Sequence, residues 1–509
     1  MKKMNLLVMS LVSAAALSFS SCSSNDDLGG GAGTQSQVKG FYMTLAVQTP
    51  TSNETRTSIK NPIPTEDATA VEAAVKNGTF YLVDEKGSVV FSKTLTGQDW
   101  SGAIKDQSGS KKDGKTTLQI QVENVAAGAT YKVYFKAGST AMYGVTEPVT
   151  AGTTGIFTAT GIEKTFTAAA AFDKTCAGDN NFSMFNQNDA TTNGNGYTVT
   201  FEDANKVADN PAKVKYNNNE ESAIKIERVT ARVDVPTSAT KLTKEELPST
   251  ASQALKNAVA DAKKKVDNIE LVRYALSNVT NKTYVMQNWD VANDVWSLEI
   301  PTDAKLSQIK DDFGDKYLLK DGGFKALTGA TNDYIFENNK SDATAMYFEY
   351  KVTLKDMTNA DFPDGTFYRY NNVIYTSFDQ IMKAYAEVAG LFEGKTAAQL
   401  NTELKEAKTE PTDKNAKSVE TKLSEFRAQY GIEVFNEGKT YYKQVITDKQ
   451  LGKDVIQRNT IYRLNVNKIF NVGAQVPNGE IDKNGLFYLD VTVTVNPWVL
   501  NTQDVSLGD

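Results

Sequence analysis

The sequence predicts an all-β protein made of two tandem β-sandwich domains. Short runs in which apolar and polar residues alternate recur along most of the 509 residues, and this period of two is typical of strands with one buried face. Turn sequences rich in glycine and asparagine, such as 193–196, separate the runs. The length is sufficient for two domains with substantial cores, and we expect a Greek-key, transthyretin-like strand order in each of them.

Residues 1–21 have the pattern of a secretory signal peptide. Lys2 and Lys3 precede an apolar run that is too short for a permanent membrane-spanning helix. Small residues then precede Cys22, an arrangement that resembles the lipobox of bacterial lipoproteins, and we expect this cysteine to carry a lipid. The other interpretation, a buried free thiol, is disfavoured because nothing nearby could bury it. Residues 22–37, rich in Gly, Ser and Thr, predict a flexible tether.

The first domain is predicted to span 38–236. About seven short strands in roughly 180 residues are typical of a β-sandwich. The polar loop behind the first strand contains Arg56, the first arginine of the chain, where a trypsin-like protease could reach it. On the residues alone, an ordinary exposed loop cation is the better explanation of Arg56. The first strand covers 38–47 and places four apolar side chains on one face: Phe41, Met43, Leu45 and Val47.

The second domain is predicted to span 237–509, with a helix over 250–266 and a helical insertion over 377–430. Two strongly alternating runs near its end predict antiparallel strands. The closing segment, 498–509, predicts one more strand, which either closes its own sheet or reaches into the sheet of another molecule. The apolar residues of this segment are Trp498, Val499, Leu500, Val505 and Leu507.

Composition excludes most enzyme classes. The chain contains no histidine, so it has no Ser/His/Asp or Cys/His nucleophile pair and no HExxH zinc site. No phosphate-binding, dinucleotide-binding or CxxC motif occurs, and we expect neither a cofactor nor a metal. A glycosidase that uses only carboxylates stays possible in principle, although no local pattern marks a pair among the 62 acidic residues. The net charge of −7, or −9 without Lys2 and Lys3, argues against nucleic acid as a partner.

With these residues in view, the chain resembles the fimbrillins of the Bacteroidales type V pilus class, in particular the subunits that form the shaft of short (minor) fimbriae. The resemblance extends over the full length. It is carried by Ser20–Cys22, Asn181–Asn186, Glu227–Val233, Val455–Val466, Gly473 and the closing segment from Trp498 to Leu507.

The resemblance implies a route of assembly. The precursor would reach the outer membrane as a lipoprotein, and an Arg-specific protease would cut between Arg56 and Thr57. The strand 38–47 would then leave its groove, and the C-terminal strand of a second copy, residues 498–509 here, would replace it. The expected product is a head-to-tail homopolymer, the shaft of a cell-surface fimbria that supports adhesion and biofilm formation. Its expected partners are accessory tip and anchor subunits, the protease, and ligands on host or bacterial surfaces.

Two other functions stay open at this point. The chain could be a monomeric surface lipoprotein that binds glycan or protein through its loops, or a tip or anchor subunit of a fimbria. The first residue of the protein at the cell surface separates the main alternatives. Thr57 would indicate the filament, and a lipidated Cys22 would indicate the monomeric lipoprotein.

Overall fold

The computed structural model describes residues 40–48, 66–68, 72, 75, 77–96, 99, 104–105, 115–142, 145, 149–157, 165–167, 176, 182–188, 194–217, 221–292, 295–307, 324–413, 416–448, 451–477 and 489–500. Strands predominate over these ranges and helices are few, so the predicted all-β class is confirmed. The predicted signal peptide and tether lie outside the described residues. So do several predicted site residues: Cys22, Arg56, Thr57, Val505 and Leu507.

The N-terminal half contributes all eleven strands of the largest sheet. Their order is β12-β10-β7-β9-β13-β1-β6-β5; in addition β11 pairs with β1, and β3 pairs with both β4 and β7. The strands are β1 (Phe41–Gln48), β2 (Glu66–Ala68), β3 (Gly78–Val83), β4 (Val89–Leu95), β5 (Ile104–Lys105), β6 (Lys115–Val122), β7 (Thr130–Ala137), β8 (Thr165–Thr167), β9 (Met184–Asn186), β10 (Tyr197–Thr200), β11 (Ala212–Lys213), β12 (Lys215–Tyr216), β13 (Ile224–Arg228), β14 (Ala231–Val233) and β15 (Thr237–Ser238).

The C-terminal half contributes β16 (Val266–Ser277), β17 (Val279–Thr280), β18 (Lys282–Tyr284), β19 (Asn288–Ala292), β20 (Val295–Glu299), β21 (Leu306–Ser307), β22 (Lys325–Ala326), β23 (Asp333–Ile335), β24 (Ala345–Leu354), β25 (Phe367–Tyr370), β26 (Val373–Tyr375), β27 (Glu433–Phe435), β28 (Lys439–Val445), β29 (Thr460–Ile469) and β30 (Leu489–Leu500). Two of its sheets have the orders β22-β16-β24-β28 and β2-β30-β29-β14-β23. The division at residue 236 stays a prediction. Two strands that precede this residue pair with strands near the end of the chain: β2 with β30, and β14 with β29.

Helices form where the sequence supplies caps. The helix predicted over 250–266 is α1 (Gln253–Lys265), and its N-cap Ser252 accepts a hydrogen bond from the Leu255 N–H at 3.2 Å. Ser377 caps α2 (Phe378–Ala384) in the same way. The predicted insertion also holds α3 (Ala397–Lys408) and α4 (Val419–Tyr430), which pack around an apolar cluster of their own. Short 3-10 helices occur at Asp203–Lys206, Leu391–Gly394 and Asn436–Gly438.

Three large apolar clusters lie between the sheets. The first joins β1, β3, β6, β7 and β13, and it includes Met43, Phe80, Ile120 and Ile224. The second lies under β16, β24 and β29 and includes Tyr274, Phe348 and Leu464. A third, with several aromatic rings, gathers residues of β3 and β7 with Val285 and Met286. Because Ile461 of β29 belongs to the first cluster, the N-terminal and C-terminal strands share buried surface.

Gly473 illustrates how closely this packing is fitted. A Cβ at this position would collide with the carbonyl oxygen of Tyr441 and stand 2.9 Å from the ring of Tyr442. Neighbouring contacts hold the site in place, since Arg369 donates to the Gly473 carbonyl at 2.9 Å. Ala474 and Tyr441 also exchange two backbone hydrogen bonds of 2.9 Å each. The backbone therefore has little room to move away from an added methyl group.

We expect Gly473→Ala to lower the free energy of unfolding by about 1–3 kcal/mol, the usual cost of forcing extra atoms into a filled site. Urea denaturation followed by circular dichroism measures the change. Gly128→Ala is the control, because a Cβ there meets nothing within 4 Å and adds only the cost of a left-handed backbone. Overpacking at Gly473 would be ruled out if its substitution left unfolding at the wild-type urea concentration.

Candidate functional site

β1 is bonded to neighbouring strands along both of its edges. All eight residues, Phe41–Gln48, pair antiparallel with β6. On the other edge Met43 pairs in parallel with β11, and Val47 pairs in parallel with β13. A strand in this position exchanges ladder hydrogen bonds on both sides, so its removal would leave two strand edges without a partner.

The four apolar side chains predicted to share one face of β1 all point into the core. Phe41 is 7% exposed, and Met43, Leu45 and Val47 are fully buried. Burying such side chains contributes about 1.5–3 kcal/mol each, or about 6–12 kcal/mol together, before the cost of ordering the strand. Removal of β1 would therefore also open an apolar groove.

One end of this groove is aromatic. The ring of Phe41 meets that of Phe201 edge to face, with 5.5 Å between the ring centroids. Phe201 lies 6.0 Å from Tyr131 by the same measure, and the Lys206 ammonium stands 5.4 Å from the centroid of Phe41. At this end, a strand that occupies the groove thus gains most binding free energy from a large apolar or aromatic side chain.

β30, the last strand among the described residues, lies in a different sheet from β1. It pairs antiparallel with β29, with Leu489 opposite Ile469 at one end of the ladder and Pro497 opposite Thr460 at the other. Val491 packs against the second apolar cluster. The sequence suggested a separate strand after Pro497, whereas β30 continues through the proline to Leu500. Proline is tolerated in edge strands, and within the part of the chain that the structure describes, β30 pairs at Pro497 with β29 alone.

The predicted donor segment is thus described only at its beginning. Trp498, Val499 and Leu500 form the end of β30, where they pair in parallel with β2. Residues 501–509, with Val505 and Leu507, lie outside the described residues. The structure therefore places the first strand and the start of the donor segment but does not bring them together, since they belong to separate sheets.

A buried ionic cluster connects the segment behind the Arg56 loop to the body of the protein. Glu72 is 2% exposed, and its carboxylate accepts hydrogen bonds from Arg232 at 3.1 Å and from the Tyr334 hydroxyl at 2.8 Å. Its backbone carbonyl accepts two hydrogen bonds of 3.0 Å from Arg228. Asp234 completes the cluster by accepting from Arg232 at 2.7 Å.

The pKa values in this cluster are governed by burial and by Glu72. Burial lowers the pKa of Arg228 to about 9, although the charge of Glu72 opposes the change. Burial also acts to lower the pKa of Arg232, but Glu72 and Asp234 outweigh it, and the pKa lies above its usual value. Burial, followed by the charge of Glu72, raises the pKa of Tyr334 well above its usual value. Both guanidinium groups are therefore charged near neutral pH, and the phenol remains a donor.

A second ionic cluster is centred on Arg458, which precedes β29. The side chains of Arg458 and Glu337 are both 0% exposed, and they are 2.8 Å apart. The guanidinium also donates to the carbonyl oxygens of Val285 and Tyr284, at 2.9 and 2.6 Å. Gln287 donates to the same Glu337 carboxylate at 2.7 Å. The pair therefore has the additional hydrogen bonds that a buried charge requires.

Sequence reasoning did not identify either cluster as buried, although one signal was present. Arg228 has the same strand parity as Ile224 and Ile226, the core-facing positions of β13. A cation at such a position needs a buried anion. Nothing local indicated that the anion would be Glu72, 156 residues away.

These charges hold strands together. Among the described residues, no group of three or more Cys, Asp or Glu side chains could hold a metal ion. Within the same ranges, no helix is long and apolar enough to cross a membrane. The single described cysteine, Cys176, is buried in the third apolar cluster.

Residues 433–504 match the family model described as major fimbrial subunit protein type IV, fimbrillin, C-terminal. The matched range includes β27 to β30 with Arg458 and Gly473. A comparison with curated proteins found no match. Because it covers the last strands of the chain, the family match concerns the part that holds β30 and the start of the predicted donor segment.

Solved structures also show likeness along most of the chain. A fimbrilin from Porphyromonas gingivalis is 13% identical, with 91% of this chain and 99% of that chain covered and a TM-score of 0.43. The fimbrial anchor protein Mfa2 from the same organism is 8% identical, with 90% and 99% covered and a TM-score of 0.24. Residues 433–504 are therefore similar to the C-terminal part of fimbrillins.

Proposed function

We propose that this chain is the shaft subunit of a cell-surface fimbria and that it polymerises by exchange of β1 for a strand of a second copy. The observation that carries the proposal is the position of β1. It is paired on both edges and buried on its apolar face, yet its link to the following strand passes through the loop that contains Arg56. A cut in that loop would leave β1 bound to the body by non-covalent contacts alone.

The proposed course of assembly begins at the membrane. Cys22 carries the lipid that holds the precursor at the outer membrane, and an Arg-specific protease cuts between Arg56 and Thr57. Departure of β1 then leaves the edges of β6 and β13 unpaired and the groove open. An incoming strand restores the ladder and covers the apolar groove.

The incoming strand is proposed to be the C-terminal segment of a second copy, residues 498–509. Donor and acceptor lie at opposite ends of the chain, so each contact is heterologous, and repetition gives an open filament. The filament would support adhesion and biofilm formation through surface ligands. Accessory tip and anchor subunits would occupy its two ends.

Substitutions in the tail test this proposal. We expect Val505→Asp with Leu507→Asp to give a folded monomer that does not polymerise after the cut, because two carboxylates cannot enter an apolar groove without a large desolvation cost. Electron microscopy and size-exclusion chromatography of the protease-treated protein measure the outcome.

The matched control carries Thr502→Asp and Ser506→Asp, which add the same charge at the opposite strand parity. We expect this control to polymerise like wild type. Filaments of normal length from the Val505 and Leu507 variant would overturn the assignment of the tail as donor.

A further inference from the structure

We propose that β2 is a latch, a short strand that covers the end of β30 in the unassembled subunit and delays its pairing with other molecules. The proposal rests on the strand exchange proposed above and adds a regulatory contact to it. Residues 66–72 carry both parts of the device: β2 itself, and Glu72, which holds β2 near the last strand.

The cover is a direct backbone pairing. Glu66, Asp67 and Ala68 pair in parallel with Trp498, Val499 and Leu500, in that order. These three partners are the first residues of the proposed donor segment. One edge of a strand accepts only one neighbour at a time, so this edge is occupied while β2 is in place.

The latch is held from its C-terminal side. Glu72 follows Ala68 closely in the chain and is fixed by two hydrogen bonds from Arg228 to its carbonyl, by Arg232 and by Tyr334. These partners belong to β13, β14 and β23. A cut at Arg56 would therefore not release β2, and the mature subunit would retain it.

The same loop links the two ends of the exchange. β1 and β2 are consecutive among the described strands, yet β1 fills the groove in one sheet, whereas β2 covers β30 in another. Residues 49–65, which include Arg56, connect them. Before the cut both strands are tied into the body, and after it β1 is free to leave while the latch stays.

The unequal lengths of the pairings make the latch reversible. β2 pairs over three residues, whereas β1 pairs with β6 over eight. A vacated groove therefore offers the C-terminal segment a longer pairing than the one it gives up. β2 is therefore displaced when the C-terminal segment pairs with a vacated groove. It stays in place during brief encounters with other strand edges.

A disulfide between β2 and β30 tests the proposal in the full chain. Asp67 and Val499 are register partners, and facing positions on paired strands lie within disulfide reach. Cys22→Ser and Cys176→Ser remove the two native thiols, after which Asp67→Cys and Val499→Cys supply the pair. After the Arg-specific cut, we expect the oxidised protein to bind a synthetic peptide of residues 489–509 as the thiol-free parent does, but to form no filaments. Reduction with dithiothreitol should restore filament growth.

A weakened latch gives the opposite result. Glu66→Gly, Asp67→Pro and Ala68→Gly disfavour a strand, and we expect them to shorten the lag before filament growth several-fold. The same three residue types placed at Thr51, Ser52 and Asn53 form the matched control and should leave the lag unchanged.

Each remaining outcome has a defined meaning. Filament growth at the parental rate by the oxidised protein, or an unchanged lag in the weakened variant, overturns the latch and leaves the strand exchange standing. If the parent itself neither binds the peptide nor polymerises after the cut, the strand exchange is wrong, and the latch is overturned with it.

Discussion

Replacing Arg56 with alanine should abolish filament formation and leave a folded monomer with its first strand in place. Without the cut, β1 stays covalently attached, and its pairing with β6 re-forms after every local opening. A tethered strand competes at a high effective concentration, which an incoming strand from solution cannot match. The expected change is from filaments to monomers, measured by electron microscopy and by the mass and first residue of the surface protein.

A second cut site provides the control for this variant. Lys60 lies in the same segment between β1 and β2 as Arg56, so limited digestion of the Arg56→Ala protein with a Lys-specific protease can separate β1 from β2 at another position. We expect this treatment to restore filaments, because the proposal requires a break in the loop and not a particular residue. Filaments of wild-type length from uncut Arg56→Ala protein would contradict the proposal.

Arg458→Met should destabilise the fold by about 3–5 kcal/mol, the usual cost of leaving one buried charge without its partner. Glu337 is fully buried and accepts from Arg458 through two guanidinium nitrogens, at 3.0 and 2.8 Å. With methionine in place, that carboxylate would lose its counter-charge in a site closed to water. Chemical denaturation of the uncut protein gives the change in the free energy of unfolding.

The double variant Arg458→Met with Glu337→Met distinguishes the cost of one unpaired buried charge from the cost of losing the whole ion pair. Removing both charges at once leaves no carboxylate at position 337 without its cation, and only the longer contact of Arg458 with Glu227, at 3.9 Å, is lost. We therefore expect a smaller loss than from Arg458→Met alone. An Arg458→Met protein within about 1 kcal/mol of wild type, the range of an exposed ion pair, would contradict the account of this cluster.

The parts of the fold that local pattern encodes were predictable. The alternation of Phe41, Met43, Leu45 and Val47 predicted both the strand and its buried face, and the structure has both. Ser377 predicted a helix start where α2 begins. These signals depend on residues a few positions apart, and neighbours in sequence largely decide them.

The pairings between distant segments were not predictable. β2 has three residues, Glu-Asp-Ala, which carry no alternation and no β-branched side chain, so its strand character comes entirely from β30. The parallel contacts of β1 with β11 and β13 join residues far apart in the chain. That β1 is displaced and that the tail replaces it stay proposals, since Arg56 and residues 501–509 lie outside the described ranges.

The ladder between β1 and β6 has a mechanical consequence. Its hydrogen bonds run perpendicular to the strands, and they extend over all eight residues of β1. If a neighbour's strand takes this position and traction on the proposed fibre pulls it lengthwise, the whole set of bonds shares the load in shear. A joint loaded in this way withstands stretching far better than unzipping from one end, which would suit the proposed fibre.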